Sequence, residues 1–168
     1  VGDMMAREDC GLTGIAREIA YEGSAHGSVE VRKYDLNCYG ISTRPLHISL
    51  SYNDDPIIPG ISNNARGALR FLQKLGIPLQ DNLQRWRVWE EFSCEEQRII
   101  SSALAQQLLA HTCSITRLFC ESYLFPAEKV RTPLRNAHEY ATLLNACGRC
   151  SRPKTGAHIC RGDRGSAY

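Results

Sequence analysis

Eight residues near the C-terminus, Leu143-Leu-Asn-Ala-Cys-Gly-Arg-Cys150, hold two thiols, a guanidinium, an amide and a glycine. Two kinds of chemistry fit that set. A close pair of thiolates such as Cys147 and Cys150 begins many structural zinc sites, and Cys160 and His158 would add donors of the right type. Against this, the third thiol comes ten residues after Cys150 and no second close pair follows it, so buried or incidental thiols are the favoured reading. The other chemistry is anion recognition. A glycine just past a helix can take positive φ and bring the backbone close to a ligand, while Arg149 offers a planar fork matched to phosphate oxygens. The plain counterpart is a C-cap glycine beside an exposed arginine.

Other positions are equally two-sided. Asp3 could bind a metal at a strand end or simply begin a loop. His47, following Arg44 at helical spacing, could face a ligand or serve as a surface or capping residue. Trp86 and Trp89 could stack bases, although tryptophans in a connector more often anchor a core. Arg161-Gly162-Asp163 reads as a turn.

These residues need elements to hold them. Apolar positions at 12, 15, 16, 19 and 20 predict a helix over 12–25 with Thr13 as N-cap. Val29 and Val31 alternate with Glu30 and Arg32, predicting a strand over 28–34 with one wet face. A short helix follows from Pro45 to about Tyr52, and a longer one over 62–75 ends at Gly76. Residues 77–92, with Pro78, Trp86 and Trp89, form a connector. Ser93 and Glu96 make a capping box for a helix reaching about His111. A strand over 117–125, a loop over 126–132 and a helix over 135–146 complete a mixed α/β pattern. The domain boundary is expected after Gly76, dividing the chain into 1–76 and 77–168.

The bulk composition excludes little. The chain has 168 residues, enough for a real core, with 43% hydrophobic and 23% charged residues. No apolar run approaches the roughly 20 residues of a membrane span, so a soluble chain with no membrane partner is expected. Twenty Lys and Arg against eighteen Asp and Glu give +2, too little for nucleic-acid binding by net charge alone, so any anion site must be local. The eight cysteines are scattered, and several, Cys113 and Cys120 among them, are expected on apolar helix faces as reduced thiols of a cytoplasmic protein. Both ends, Val1 and Tyr168, read as cut.

Four stretches in order carry a resemblance: VGDMM at 1–5, GLTGIAREI at 11–19, STRPLHISLSYNDDPIIPGIS at 42–62 and TPLRNAHEYATLLNACGR at 132–149. Together they resemble the archaeal RecJ-like branch of the DHH phosphoesterases, single-strand exonucleases that include the GINS-associated nuclease. The resemblance implies the C-terminal part of a DHH domain, a parallel sheet flanked by helices, followed by a mostly helical connector leading towards a DHHA1 domain. It implies two Mn2+ or Mg2+ ions and makes Asp3, in the Gly-Asp motif, a catalytic metal ligand. Asn145, Gly148 and Arg149 match the Asn-Ala-Ala-Gly-Arg motif that lines the nucleic-acid cleft, so Arg149 would meet a phosphate.

The same resemblance puts the Asp-His-His motif before Val1 and the Gly-Gly-Gly-His motif after Tyr168, so the chain alone is expected to be catalytically incomplete. The implied partners are single-stranded DNA or RNA and a GINS complex. Two other functions stay open: a non-catalytic scaffold for a replicative helicase, and an oligoribonucleotide or small phosphodiester hydrolase of the same superfamily.

Overall fold

The computed structural model describes residues 12–165. Helix α1 (Gly14–Ala25) starts beyond Thr13, whose side chain makes no capping bond. Its Ala16 and Ala20 pack with Leu12, Val29, Tyr123 and Ala137 in a small core, and Tyr123 Oη accepts from the Leu12 N–H at 3.2 Å. Strand β1 (Glu30–Leu36) pairs antiparallel with β2 (Phe119–Leu124), from Glu30 opposite Leu124 to Leu36 opposite Phe119. The ladder is irregular between Arg32 and Asp35. β1 therefore runs past the expected Tyr34, because Asp35 and Leu36 turn into the interior. Where the resemblance implied a parallel sheet, the sheet among the described residues has these two antiparallel strands.

Between the strands lies the larger core. Helix α2 (Leu46–Ser51) and helix α3 (Ala65–Lys74) contribute Leu50 and Leu72, and helix α4 (Cys94–Ala110) contributes Ile100, Leu104 and Leu108. Residues on both sides of Gly76 share this core. At roughly 25 cal/mol per Å2 of apolar surface removed from water, each fully buried Leu or Ile adds about 1.5–3 kcal/mol. α3 begins at Ala65 and not at Ser62, because Ser62 Oγ accepts from the Ile58 N–H at 2.8 Å and Asn64 caps the helix by accepting from the Gly67 N–H at 2.9 Å. A Cβ on Gly67 would stand 2.1 Å from the Gly60 carbonyl oxygen, so this corner closes only on glycine.

The connector is fastened by Arg87, which makes two bonds to Glu96 at 3.0 and 2.7 Å and donates to the Pro78 carbonyl at 2.7 Å. Glu96 also accepts from the Ser93 N–H at 2.7 Å and its own N–H donates to Ser93 Oγ at 3.2 Å, the reciprocal cap expected for α4. Arg87 holds the Glu96 carboxyl down at about 2. Trp89, in a single 3-10 turn (Trp89–Glu91), is buried and donates its indole N–H to Asp35 at 2.6 Å. Ser122 Oγ donates to the other Asp35 oxygen at 2.5 Å, so one buried carboxylate ties β1, β2 and the 3-10 turn together. Trp89 is thus a core anchor, while Trp86 lies against the His47 ring with centroids 4.6 Å apart. Burial there lowers the His47 pKa.

Helix α5 (Ala137–Arg149) and helix α6 (Pro153–Cys160) follow β2. α5 outlasts the expected end at Ala146 by three residues and takes in Cys147, Gly148 and Arg149. Arg161-Gly162-Asp163 forms the turn after α6, with Gly162 at φ 94°. Cys113 sits in the turn after α4 and Cys120 in β2, not on helix faces as expected. All the cysteines from Cys38 onward are free thiols, and burial pushes Cys38 up to about 12, which leaves it unreactive. Among the described residues no helix is long and apolar enough to cross a membrane.

Candidate functional site

The two long stretches that carry the resemblance meet at one place. Gly40, at φ 76°, turns the chain so that the Thr43 and Arg44 N–H groups both donate to its carbonyl, at 3.2 and 2.8 Å. The Arg44 side chain then crosses the space a Cβ would fill, since a Cβ on Gly40 would lie 2.7 Å from Arg44 Cδ. From this turn the Ser42 N–H donates to Glu139 Oε1 at 2.8 Å and Thr43 Oγ1 to Glu139 Oε2 at 2.7 Å. Glu139 lies in the first turn of α5, whose N-cap Asn136 accepts from the His138 N–H at 2.9 Å. Burial raises the Glu139 pKa, and the bonds from Thr43 and Ser42 offset only part of that rise.

Further polar contacts make the seam continuous. Arg135 donates from Nε to Glu90 at 2.9 Å, with side chains 12% and 6% exposed. Ser42 Oγ donates to the same carboxylate at 3.2 Å. Arg131 holds Glu91 with two bonds at 2.8 and 2.7 Å. None of these acids stood out in the sequence. Glu90 and Glu91 sat in a stretch read as a connector, and only the apolar flanks of Glu139 on a helix pointed inward.

Outside this seam α5 presents a polar stripe. His138, Thr142, Asn145 and Arg149 recur at spacings of four, three and four residues, which keeps them on one face of a helix. Asn145, Gly148 and Arg149 are exposed. At the N-terminal end of the stripe the His138 ring meets Tyr39 edge-on, with centroids 6.2 Å apart, and desolvation lowers its pKa. Arg44 stands beyond Tyr39, its guanidinium 5.2 Å from the Tyr39 ring centroid and 5.1 Å from that of Tyr52.

Gly148 is not the turn glycine that its spacing suggested. It is helical, and beyond its chain neighbours and its own helix's backbone no heavy atom of the described residues would lie within 4 Å of an added Cβ. The positive φ falls at Ser151, 57°, where the Ser151 and Arg152 N–H groups donate to the Gly148 and Cys147 carbonyls at 3.2 and 2.8 Å. Arg149 reaches solvent from the last helical position. Cys147 packs against α6, where a Cβ on Gly156 would come 3.3 Å from Cys147 Cβ, while Cys150 and Cys160 are exposed. Among the described residues no three His, Cys, Asp or Glu side chains are grouped to hold a metal ion. Asp3 lies outside the described residues. What the described residues offer on this helix face is an imidazole, a hydroxyl, an amide and the Arg149 guanidinium, groups able to donate hydrogen bonds to an anion.

Residues 38–118 match the family model of the DHH-CID domain. No curated protein matches the sequence.

Proposed function

The DHH-CID match at residues 38–118 supports membership in the DHH phosphoesterase family, and from that premise we propose that this chain is part of a RecJ-like single-strand exonuclease. The family is a hydrolase superfamily whose members generally depend on divalent cations. In this reading Asp3 is one ligand to Mn2+ or Mg2+, and Asn145, Gly148 and Arg149 contact single-stranded DNA or RNA. The division at Gly76 and a partner of the GINS type belong to the same proposal.

The observation that supports it is the placement of Asn145 and Arg149 on one exposed helix face, with Arg149 in no ion pair among the described residues. A cation at the end of a helix, clear of acids, is free to exchange counterions for phosphates.

Titration of the chain into a fluorescent single-stranded oligonucleotide tests this. Binding should weaken as salt rises and should be tighter for single strands than for duplex. Arg149→Ala should weaken it about tenfold, the loss of one charge-assisted contact, with the melting temperature unchanged. Arg149→Lys should recover only part, because an ammonium keeps the charge and loses the fork. A melting temperature that falls markedly while the folded fraction binds normally would make Arg149 structural. Absence of any nucleic-acid binding, with capture of a GINS complex, would favour the non-catalytic scaffold.

A further inference from the structure

The Arg44 turn is a second cation on the same surface. Unlike Arg87, Arg131 and Arg135, Arg44 meets no carboxylate among the described residues. The acid whose charge it feels, Glu139, already spends both oxygens on Ser42 and Thr43. The guanidinium is instead held by the Tyr39 and Tyr52 rings, 40% and 65% exposed, with its stem laid across Gly40. Two rings against the guanidinium fix the side chain without using its N–H donors, so the fork is pre-set and, among the described residues, its hydrogen-bonding capacity is unspent. Tyrosines this exposed at an arginine also offer flat faces on which bases stack regardless of sequence.

Glu139 fastens the turn to the first turn of α5, and Arg149 ends the same helix. Ten residues at about 1.5 Å rise separate Glu139 from Arg149, roughly 15 Å, and at about 3.4 Å per stacked nucleotide that is about four nucleotides of a strand. His138, Thr142 and Asn145 lie between the two cations along the stripe.

We propose that Arg44, held against Tyr39 and Tyr52, is a second contact for the phosphate backbone of a single-stranded nucleic acid, which runs along α5 to Arg149 with a base stacked on Tyr39 or Tyr52. The inference rests on the substrate-side reading of Arg149 but stands on different residues. The affinity of the 168-residue chain for labelled oligothymidylate, measured across a salt series, tests it for the wild type, Arg44→Gln, Arg149→Ala and the double variant.

Arg44→Gln should lose roughly tenfold in affinity, and its log–log salt slope should become shallower by about 0.7, the value for one phosphate on a single strand. Tyr52→Leu should weaken binding while leaving the slope unchanged, since it removes stacking and no charge. An oligonucleotide shorter than about four residues should gain nothing from the second cation, so it should not distinguish wild type from one of the two single variants. If Arg149→Ala weakens binding while Arg44→Gln leaves affinity and slope unaltered, the Arg44 contact is wrong and the Arg149 reading survives. If the wild type binds no oligonucleotide, both fall. Should Arg44→Gln fail to fold, Arg44→Lys takes its place: a several-fold loss with the slope kept supports the contact, and wild-type affinity overturns it.

Discussion

At the scale of single residues, glycine 148 separates what spacing implied from what packing does. A glycine between a helix and an arginine reads as a C-cap, yet the helix continues through it and the left-handed residue is Ser151. Sequence could not decide this, because the docking of α6 on Cys147 sets where α5 stops and that contact is tertiary. Since Gly148 is helical with open space around it, Gly148→Ala should stabilise the protein by about 0.5–1 kcal/mol, seen as a higher urea midpoint. A positive-φ turn glycine would respond in the opposite direction. Glu139 and Asp35 were hidden for a related reason. A buried carboxylate is chosen for the donors that surround it, and those of Glu139 come from Ser42 and Thr43, nearly a hundred positions away.

Secondary elements were more legible. The Ser93–Glu96 box announced α4 because a reciprocal cap lies within four consecutive residues, and all of its physics is local. What the local pattern omitted is the second duty of Glu96, as the anchor for Arg87 and so for the connector. Its carboxyl sits at about 2 when folded against an ordinary 4.5, so the unfolded chain binds the extra proton and the ionised form favours folding. That stability is in place above about pH 4.5 and drains away as pH falls towards 2. Glu96→Gln should therefore lower the melting temperature at neutral pH and flatten its decline over this acid range, as thermal melts across a pH series would show. A parallel fall of both proteins would mean that Glu96 is not the group being protonated.

For the molecule as a whole, the mixed α/β character was readable from periodicity, while the joining of its parts was not. Two cores lie on either side of a polar seam, where Arg131, Arg135 and Glu139 meet Glu91, Glu90 and the Ser42–Thr43 backbone turn. Charges in such places need their partners, because desolvation has already been incurred and only the pairing offsets it. Glu90→Gln, leaving Arg135 nearly buried without its carboxylate, should cost about 3–5 kcal/mol in urea unfolding. Replacing both, Glu90→Leu with Arg135→Met, should cost far less than the single change, and equal losses would show that the pair does not act as a unit.

The Leu36–Phe119 pair has a bearing on ancestry. The chain leaves the sheet at one residue and, some eighty positions later, re-enters it at the residue opposite, about 5 Å away. A tight hairpin could close the same ladder directly. A segment whose entrance and exit coincide is one that a lineage can acquire, lose or exchange while the ladder still closes, the adjustments falling on Asp35, Arg131, Arg135 and Glu139, whose partners lie inside it.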